Sequence, residues 1–416
     1  MIKLTSVPAT EEPELRSNPA SQDKIRIFHS IARWLPRTEN WIWNLLRSVP
    51  SEFENHVFCE DTENLEEFSL PNIHSFREAS RLRFLWDLGL RKLKVRRHLG
   101  FLTTLTRQHN ATVLHSHFGN HGWTNLGFAK RSGIKHLVTF YGFDVNYLPQ
   151  VDPAWGERYR ELFAQCDRVL CEGPHMAGCL VRLGCPESKL RVQHLGVCVD
   201  EIEFRPRAFL SGQPLRVLIA ASFQEKKGIP YALEALGRLR QELQLQVTII
   251  GDANSEIRSQ LEKKRILAAV GRYGLQSHVN VLGYQTHQEL LAQAYQHHIF
   301  LSPSVSASDG DTEGGAPVTI IEMAATGMPI VSTAHCDIPE VIQHGITGML
   351  APERDVDALV QHLRWLVSHP TKWEAMLRAG RQRMESEFNV QVQGKRLALL
   401  YAELTGPTNH SQGSRP

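Results

Sequence analysis

The sequence predicts an α/β protein built from two tandem Rossmann-like domains, each a doubly wound parallel sheet, facing each other across a cleft. Three observations carry that expectation. Short apolar runs of strand length alternate with helical stretches through most of the 416 residues, the pattern of successive β-α-β units. The alternation breaks once, at 196–213 (GVCVDEIEFRPRAFLSGQ), where Pro, Gly and charge accumulate. Each side of that break is about the size of one doubly wound domain.

Taken in order, a first strand is expected over 24–29 and a tryptophan-bearing helix over 40–47. A long basic and apolar helical region follows over 80–105. Strands recur at 112–116, 136–140, 168–171 and 190–195, with helices between them. Beyond the break come a strand from Arg216 (RVLIAA), a helix from Gly228, strands at 246–250 and 279–282, and a helix over 255–272 between them. Further strands are expected at 299–301 and 329–333. Thr286-x-x-Glu289 and Thr371-x-x-Glu374 each read as a capping box opening a helix. The domains expected are 23–205 and 206–388, then a helix over 389–405 packing back toward the first domain. Residues 1–22 read as a flexible leader and 406–416 as a disordered tail.

Bulk properties narrow the function. With 42% hydrophobic and 22% charged residues the composition is that of a globular protein, and a net charge of +2 gives no reason to expect a nucleic-acid partner. The 7 cysteines contain no C-x-x-C, so neither a disulfide framework nor a zinc knuckle is indicated, and reduced thiols in the cytoplasm fit best. No apolar run approaches the ~18 residues that cross a bilayer. There is no G-x-G-x-x-G and no Walker A loop, which argues against a dehydrogenase or a P-loop kinase.

The most informative stretch is 302–333, SPSVSASDGDTEGGAPVTIIEMAATGMPIVST. An apolar strand runs into a Gly-rich loop carrying Glu313, which feeds an apolar helix carrying Glu322. Backbone N–H groups at such a turn attract an anion. Carboxylates on either side can grip hydroxyls, so the fitting ligand has phosphates in the middle and sugars at both ends. The alternative is that both are acids favoured near a helix start by its dipole. An unpaired Glu322 inside an apolar stretch would be costly, which favours the ligand.

Other features admit two readings each. Lys227, in EKKG, is a loop cation ahead of a helix start, suited to phosphate, or one of two lysines on a surface turn. Asp309-Gly310-Asp311 spells the D-x-D of metal-dependent sugar transfer, but in a loop beside paired glutamates solvated acids are the better reading; Asp311 can still meet a sugar hydroxyl. Alternation puts His115 and His117 on one face, and with His121 they invite a metal reading, set against a polar cleft wall. Thr38, Glu39 and Asn40 face an acceptor, or else Thr38 or Asn40 caps a helix. Between Arg77 and Arg97 eight basic residues intersperse with Phe84, Leu85, Trp86, Leu88, Leu90 and Leu93. That segment, 77–102, either lies on an anionic membrane or forms a core helix pair with a solvated basic face.

The motifs HSHFG (115–119), TFYGFDV (139–145), SFQEKKG (222–228), IIGD (249–252), LGYQTHQEL (282–290) and the 302–333 stretch stand in the order seen in retaining glycosyltransferase family 4, of GT-B fold. The chain resembles that family, and within it the exopolysaccharide and lipopolysaccharide enzymes of colanic-acid type. The resemblance implies a hexosyltransferase that uses a nucleotide-diphosphate sugar and a glycan or lipid-linked acceptor. It implies no cofactor beyond that co-substrate and no metal, and a cytoplasmic place, peripheral on the inner membrane face. It assigns catalytic roles to Glu313, Lys227 and Tyr141. Donor contacts are expected from Glu322, Gly314, Gly315, Ala316, Val318, Ser222, Gly251, Asp252, Tyr284 and Asp311, and acceptor contacts from His117, Gly119 and Asp144; Thr38, Glu39 and Asn40, in a loop that lacks the glycines relatives often carry there, are expected to face the acceptor. Three departures stand out. Ser222 replaces the family's arginine, Tyr141 replaces its histidine, and the eight residues between Glu313 and Glu322 are one more than usual. They keep open an epimerase on the same fold or a non-catalytic sugar-nucleotide-binding subunit. Asp144 has its own alternative, capping the turn after Tyr141.

Overall fold

The computed structural model describes residues 24–36 and 39–406. The expected leader, most of the expected tail, and Thr38 lie outside the described residues. The first sheet has seven strands, in spatial order Ile73–Ser75, Phe53–Cys59, Ile25–Ser30, Val113–His117, Lys135–Thr139, Arg168–Cys171 and Leu190–Val192. The second has six: Val279–Gly283, Leu245–Ile250, Leu215–Ala220, Ile299–Ser302, Ile330–Thr333 and Met349–Ala351. Every pairing in both sheets is parallel. These are the two Rossmann-like layers that the alternation predicts.

Parallel strands covered on both faces must be apolar on both faces. LRVLIA and IFLS meet that demand. Leu215, Val217 and Ile219 pack with Leu233, Leu236, Leu363 and Trp373 on one side. Leu218, Ala220 and Phe300 pack with Ile320, Met323 and Ala324 on the other. Burying each large apolar side chain is worth about 1.5–3 kcal/mol, so this helix-sheet-helix layering is the second domain's main source of stability. The helix Ile320 belongs to, Val318–Ala325, is thereby fixed with its first turn at the sheet's carboxyl edge.

In both sheets the chain winds outward from a central pair of strands. In the second, Leu215–Ala220 and Ile299–Ser302 are neighbours whose successors lie on opposite sides. Loops leaving such a switch point diverge and open a crevice at the strands' carboxyl ends. The helix Val390–Thr405 returns to the first domain, where Leu397, Ala398 and Tyr401 pack with Ile27, Val113 and Leu137.

Several expectations are corrected. Thr371 caps no helix: residues Pro370–Lys372 form a short 3-10 turn, and the helix Trp373–Glu387 starts from Lys372 without a side-chain cap. Thr286 does cap, accepting from the Glu289 N–H at 3.1 Å. The region 80–105 is two helices, Arg81–Lys92 and Gly100–Gln108, broken where Lys94 takes a positive φ of 57°. Only the second is a core helix, with Leu102 and Leu105 buried; on the first and the turn after it Leu82, Leu85, Trp86, Leu93 and Val95 are exposed.

Candidate active site

Glu313 is the best-held side chain of the crevice. The loop after Ile299–Ser302 carries it, and the loop after Leu215–Ala220 carries Lys226 and Lys227, so the switch point brings the two together. Lys227 Nζ lies 2.6 Å from Glu313 Oε2, and Ser304 Oγ donates to Glu313 Oε1 at 2.7 Å. The Glu313 amide donates to His335 Nε2 at 3.1 Å, while His335 Nδ1 pairs with Glu353 Oε1 at 2.6 Å. Burial works to raise the Glu313 pKa, but Lys227, Lys226 and the two hydrogen bonds outweigh it and hold the carboxyl below its ordinary range. The lysines owe their position to Gly228, whose φ of 63° turns the chain at the helix start and whose Cα leaves no room for a side chain against the Pro303 carbonyl.

Between the two glutamates runs the Gly314-Gly315-Ala316 turn. Among the described residues no acceptor meets the N–H groups of Gly315 and Ala316. With the N-terminus of the helix Val318–Ala325 behind them, these amides form a cradle for an anion. Glu322, in that helix, is buried, and its Oε1 lies 2.8 Å from Nε2 of the half-exposed His287. This hydrogen bond raises the His287 pKa, outweighing its desolvation. Val318 packs against the first domain's Trp41 and Tyr141 cluster.

The D-x-D acids are already partnered. Asp311 Oδ1 meets Lys226 at 3.1 Å and its Oδ2 meets Arg258 at 3.3 Å; Asp309 Oδ2 is 3.4 Å from the same guanidinium. Lys226 also donates to the Thr312 carbonyl, so the pair staples the loop that presents Glu313. Asp252 is held 2.6 Å from Lys263, Gly251 turns the chain against Ala221, and Tyr284 is exposed beyond them. Ser222 sits beside that turn, short of the reach an arginine would have.

The first domain closes the other wall. Gly142 and Gly314 touch backbone to backbone, and a Cβ on Gly142 would come within 2.7 Å of the Gly314 Cα. Asn146 Nδ2 donates to Thr312 Oγ1 at 2.7 Å. Asp337 of the second domain accepts from the His175 amide at 2.7 Å, at the start of the first domain's helix Pro174–Arg182. Tyr141 packs against Trp41, with ring centroids 4.4 Å apart and the planes tilted by 50°, and its hydroxyl lies 2.6 Å from His117 Nδ1.

That last contact belongs to a buried chain whose polarity can be read off. Asn55 gives its N–H to the Leu46 carbonyl, so its oxygen accepts from His29 Nε2 at 3.0 Å. His29 Nδ1 must then accept from His117 Nε2 at 3.1 Å, which leaves His117 Nδ1 to accept from the Tyr141 hydroxyl. The phenol's proton therefore points inward, to His117. Burial pushes the His117 pKa well down and the Tyr141 pKa well up, so every member of the chain is neutral at neutral pH.

Two expected acceptor contacts are therefore corrected. His117 is fully buried with both ring nitrogens taken, so it supports Tyr141 from behind. Asp144 is also fully buried, its oxygens accepting from the Gly119 amide at 2.6 Å and the Tyr141 amide at 2.9 Å. It braces the two loops, and burial raises its pKa to about 6. Glu39 and Asn40 open the helix Asn40–Arg47 without a side-chain cap, and burial followed by Glu63 raises the Glu39 pKa to about 7.

Sequence reasoning missed Glu172, at the end of the strand Arg168–Cys171. Its carboxyl stands against Gly315, where any side chain would overlap it. Burial, then the nearby Asp337, Asp144 and Glu313, push its pKa well up, so a protonated acid faces the anion cradle. A lone Glu after a strand gives no sign of this in sequence. His287, His335 and Ser304 were missed for the same reason: their partners are brought by the fold.

Residues 38–201 match the family profile described as Glycosyltransferase Family 4, and residues 200–383 that of Glycosyl transferases group 1. The chain is 32% identical over 299 residues to the putative colanic acid biosynthesis glycosyltransferase WcaL of Escherichia coli (strain K12), covering 71% of each chain. It is 33% identical over 271 residues to the amylovoran biosynthesis glycosyltransferase AmsK of Erwinia amylovora, covering 65% of this chain and 64% of AmsK. The structure superposes on Anabaena Alr3699/HepE, solved in complex with UDP-glucose, with a TM-score of 0.71 at 13% identity, over 91% of this chain and 100% of that one. At that identity the likeness shows the shared fold alone.

Proposed function

The chain belongs to glycosyltransferase family 4, and on that footing we propose that it moves a hexose from a nucleotide-diphosphate sugar to a glycan or lipid-linked saccharide, with retention, in the assembly of a cell-surface polysaccharide. WcaL and AmsK, whose names place them in colanic acid and amylovoran biosynthesis, support the polysaccharide role. HepE, which binds UDP-glucose, supports a donor of that class. The observation that carries the reading is the switch-point crevice itself: partnerless amides at Gly315 and Ala316, flanked by Lys227 and Glu313 on one side and Glu322 on the other.

In this reading the diphosphate rests on the two amides and meets Lys227, which spreads its charge between phosphate and Glu313 as the leaving group forms. Glu322 exchanges His287 for the ribose hydroxyls. Glu172, kept neutral, adds no repulsion to the phosphates and can donate to them. Tyr141 accepts a hydrogen bond from a sugar or acceptor hydroxyl, its own proton being committed to His117. Burial and the neighbouring acids keep Glu172, which faces the cradle, in its protonated form, and that makes it a poor nucleophile. Front-face attack, with a leaving phosphate oxygen taking the acceptor's proton, is the route that the family implies. Lys226 and Arg258 supply fixed positive charge beside Asp309 and Asp311, where a D-x-D enzyme would use a metal.

The helix Arg81–Lys92 and the turn after it would lie on an anionic membrane. Leu82, Leu85, Trp86, Leu93 and Val95 are exposed among Arg81, Arg83, Lys92 and Lys94, and such a patch gains from both apolar insertion and charge. No described helix is long and apolar enough to cross a membrane. A lipid-linked acceptor would then be delivered at the surface.

The test is transfer in EDTA. The protein is incubated with UDP-, GDP- and ADP-hexoses and a lipid-linked saccharide, and nucleotide release is followed with the anomeric coupling of the product. Acceptor-dependent release of one nucleotide and a product of the donor's anomeric configuration are expected. An isomerised donor, inverted product or binding without turnover would overturn the proposal.

A further inference from the structure

Two groups of three histidines lie within 4.8 Å, ligand atom to ligand atom: His29, His115 and His117, and His56, His74 and His109. They differ in what their ring nitrogens do. In the first group every nitrogen already has a partner, since Tyr401 and Thr139 occupy the two of His115. That group is a closed polar network. The second is not closed.

His56 stands at the middle of Phe53–Cys59, His74 on the edge strand Ile73–Ser75, and His109 directly after the helix Gly100–Gln108. His56 Nδ1 and His74 Nε2 are 3.1 Å apart. Two nitrogens bound to one tetrahedral zinc at about 2.0–2.1 Å would be separated by about 3.3 Å, so this pair is already at the spacing of neighbouring ligands. The His109 ring has no hydrogen-bond partner among the described residues, and its centroid is 4.8 Å from His56 and 5.3 Å from His74.

The far side of His56 supplies a second, independent sign. Its Nε2 is buried without a hydrogen bond, yet lies 3.2 Å from Glu54 Oε1, off the angle a hydrogen bond needs. A metal-bound imidazole characteristically donates its other N–H to a carboxylate, which fixes its tautomer and strengthens it as a ligand. Glu54 is in turn anchored by Arg26 at 3.2 Å. Phe28 stacks on His56 at 4.8 Å and 6°, shielding one face from water.

We propose that His56, His74 and His109 bind one divalent transition-metal ion of the zinc type, oriented by Glu54, at the outer edge of the first sheet and apart from the crevice. Three imidazoles suit such an ion and not magnesium or calcium, which prefer oxygen. The ion would tie the end of Gly100–Gln108 to the two edge strands, and the fourth ligand position would be water.

The experiment uses the whole chain, stripped with EDTA, desalted and titrated with zinc sulfate by calorimetry and thermal melting, with magnesium in parallel. One equivalent of zinc and a melting temperature that rises with zinc concentration are expected. His74→Gln/His109→Gln should lose that equivalent while keeping nucleotide binding. Glu54→Gln, which leaves all three ligands, should weaken zinc binding by roughly 10–100-fold and decides the matter if the double variant does not fold. No zinc-specific uptake, uptake that survives the double substitution, or an affinity indifferent to Glu54→Gln would overturn the proposal and leave a hydrogen-bonded histidine pair.

Discussion

Replacing Lys227 with methionine removes the cation 2.6 Å from Glu313 while keeping much of its apolar stem. The two charges attract by about 6 kcal/mol before desolvation, taking an effective dielectric of about 20. The Glu313 side chain is only 5% exposed, so the variant strands a carboxylate away from water. Stranding one member of a buried pair costs about 3–5 kcal/mol; because Ser304 and Lys226 still serve Glu313, the lower end, about 3 kcal/mol, is expected. For a domain of this size that is a fall in Tm of roughly 6–12 °C. The pH dependence gives a sharper test. The folded pKa of Glu313 is depressed, so the pairing stabilises above the unfolded carboxylate range and its contribution is lost as pH falls through the folded value. The Tm gap between wild type and Lys227→Met should therefore be widest near neutrality and narrow on acidification. The double variant Lys227→Met/Glu313→Gln should recover most of the Tm and none of the transfer activity. A pH-independent gap under 1–2 °C, equivalent by the same conversion to less than about 1 kcal/mol, would refute the reasoning.

Glu322→Gln should weaken nucleotide binding by roughly 1.5–3 kcal/mol, the worth of hydrogen bonds to a charged group, with little change in Tm; calorimetry checks it, and unchanged affinity removes the ribose assignment. The same variant should lower the His287 pKa, seen by NMR titration. In the wild type that pKa is raised, so the His287–Glu322 pairing is fully present below the unfolded histidine value and fades as pH rises through the folded one; nucleotide affinity should rise over that window. Gly142→Ala places a methyl against Gly314 in a backbone with φ of 103°, and should cost about 1–3 kcal/mol in strain while lowering kcat/KM, measured by melts and transfer rates. Leu85→Ser/Trp86→Ser should leave Tm within about 0.5 kcal/mol equivalent, since both are exposed, yet reduce sedimentation with anionic vesicles; unaltered sedimentation would count against the membrane face.

Most of the architecture was legible because parallel strands buried on both faces write themselves as apolar runs. IRIF, RVLIA and IFLS are such runs, and the tryptophan-bearing helix expected over 40–47 is found at Asn40–Arg47. Phe53–Cys59 was not, because its first half carries Glu54, Asn55 and His56 in place of an apolar run, and Met349–Ala351 is too short to show a period. Thr371 has the letters of a capping box, but Pro370 and the 3-10 turn shift the helix start past it. Alternation put His115 and His117 on one face, while their third neighbour, His29, comes from the next strand in register with His115. Pairs such as Lys227 with Glu313, or Glu322 with His287, are separated by tens of residues and meet through sheet order alone. Glu172 shows the limit most clearly: its chemistry comes from burial among other acids, which spacing does not encode.

A crystal structure of the protein with an intact nucleotide-diphosphate sugar, grown in EDTA, tests the central claim most directly. The predicted result is the diphosphate on the Gly315 and Ala316 amides with Lys227 Nζ in contact and the ribose hydroxyls on Glu322. A diphosphate docked elsewhere, or a ribose that leaves Glu322 bound to His287, would contradict it.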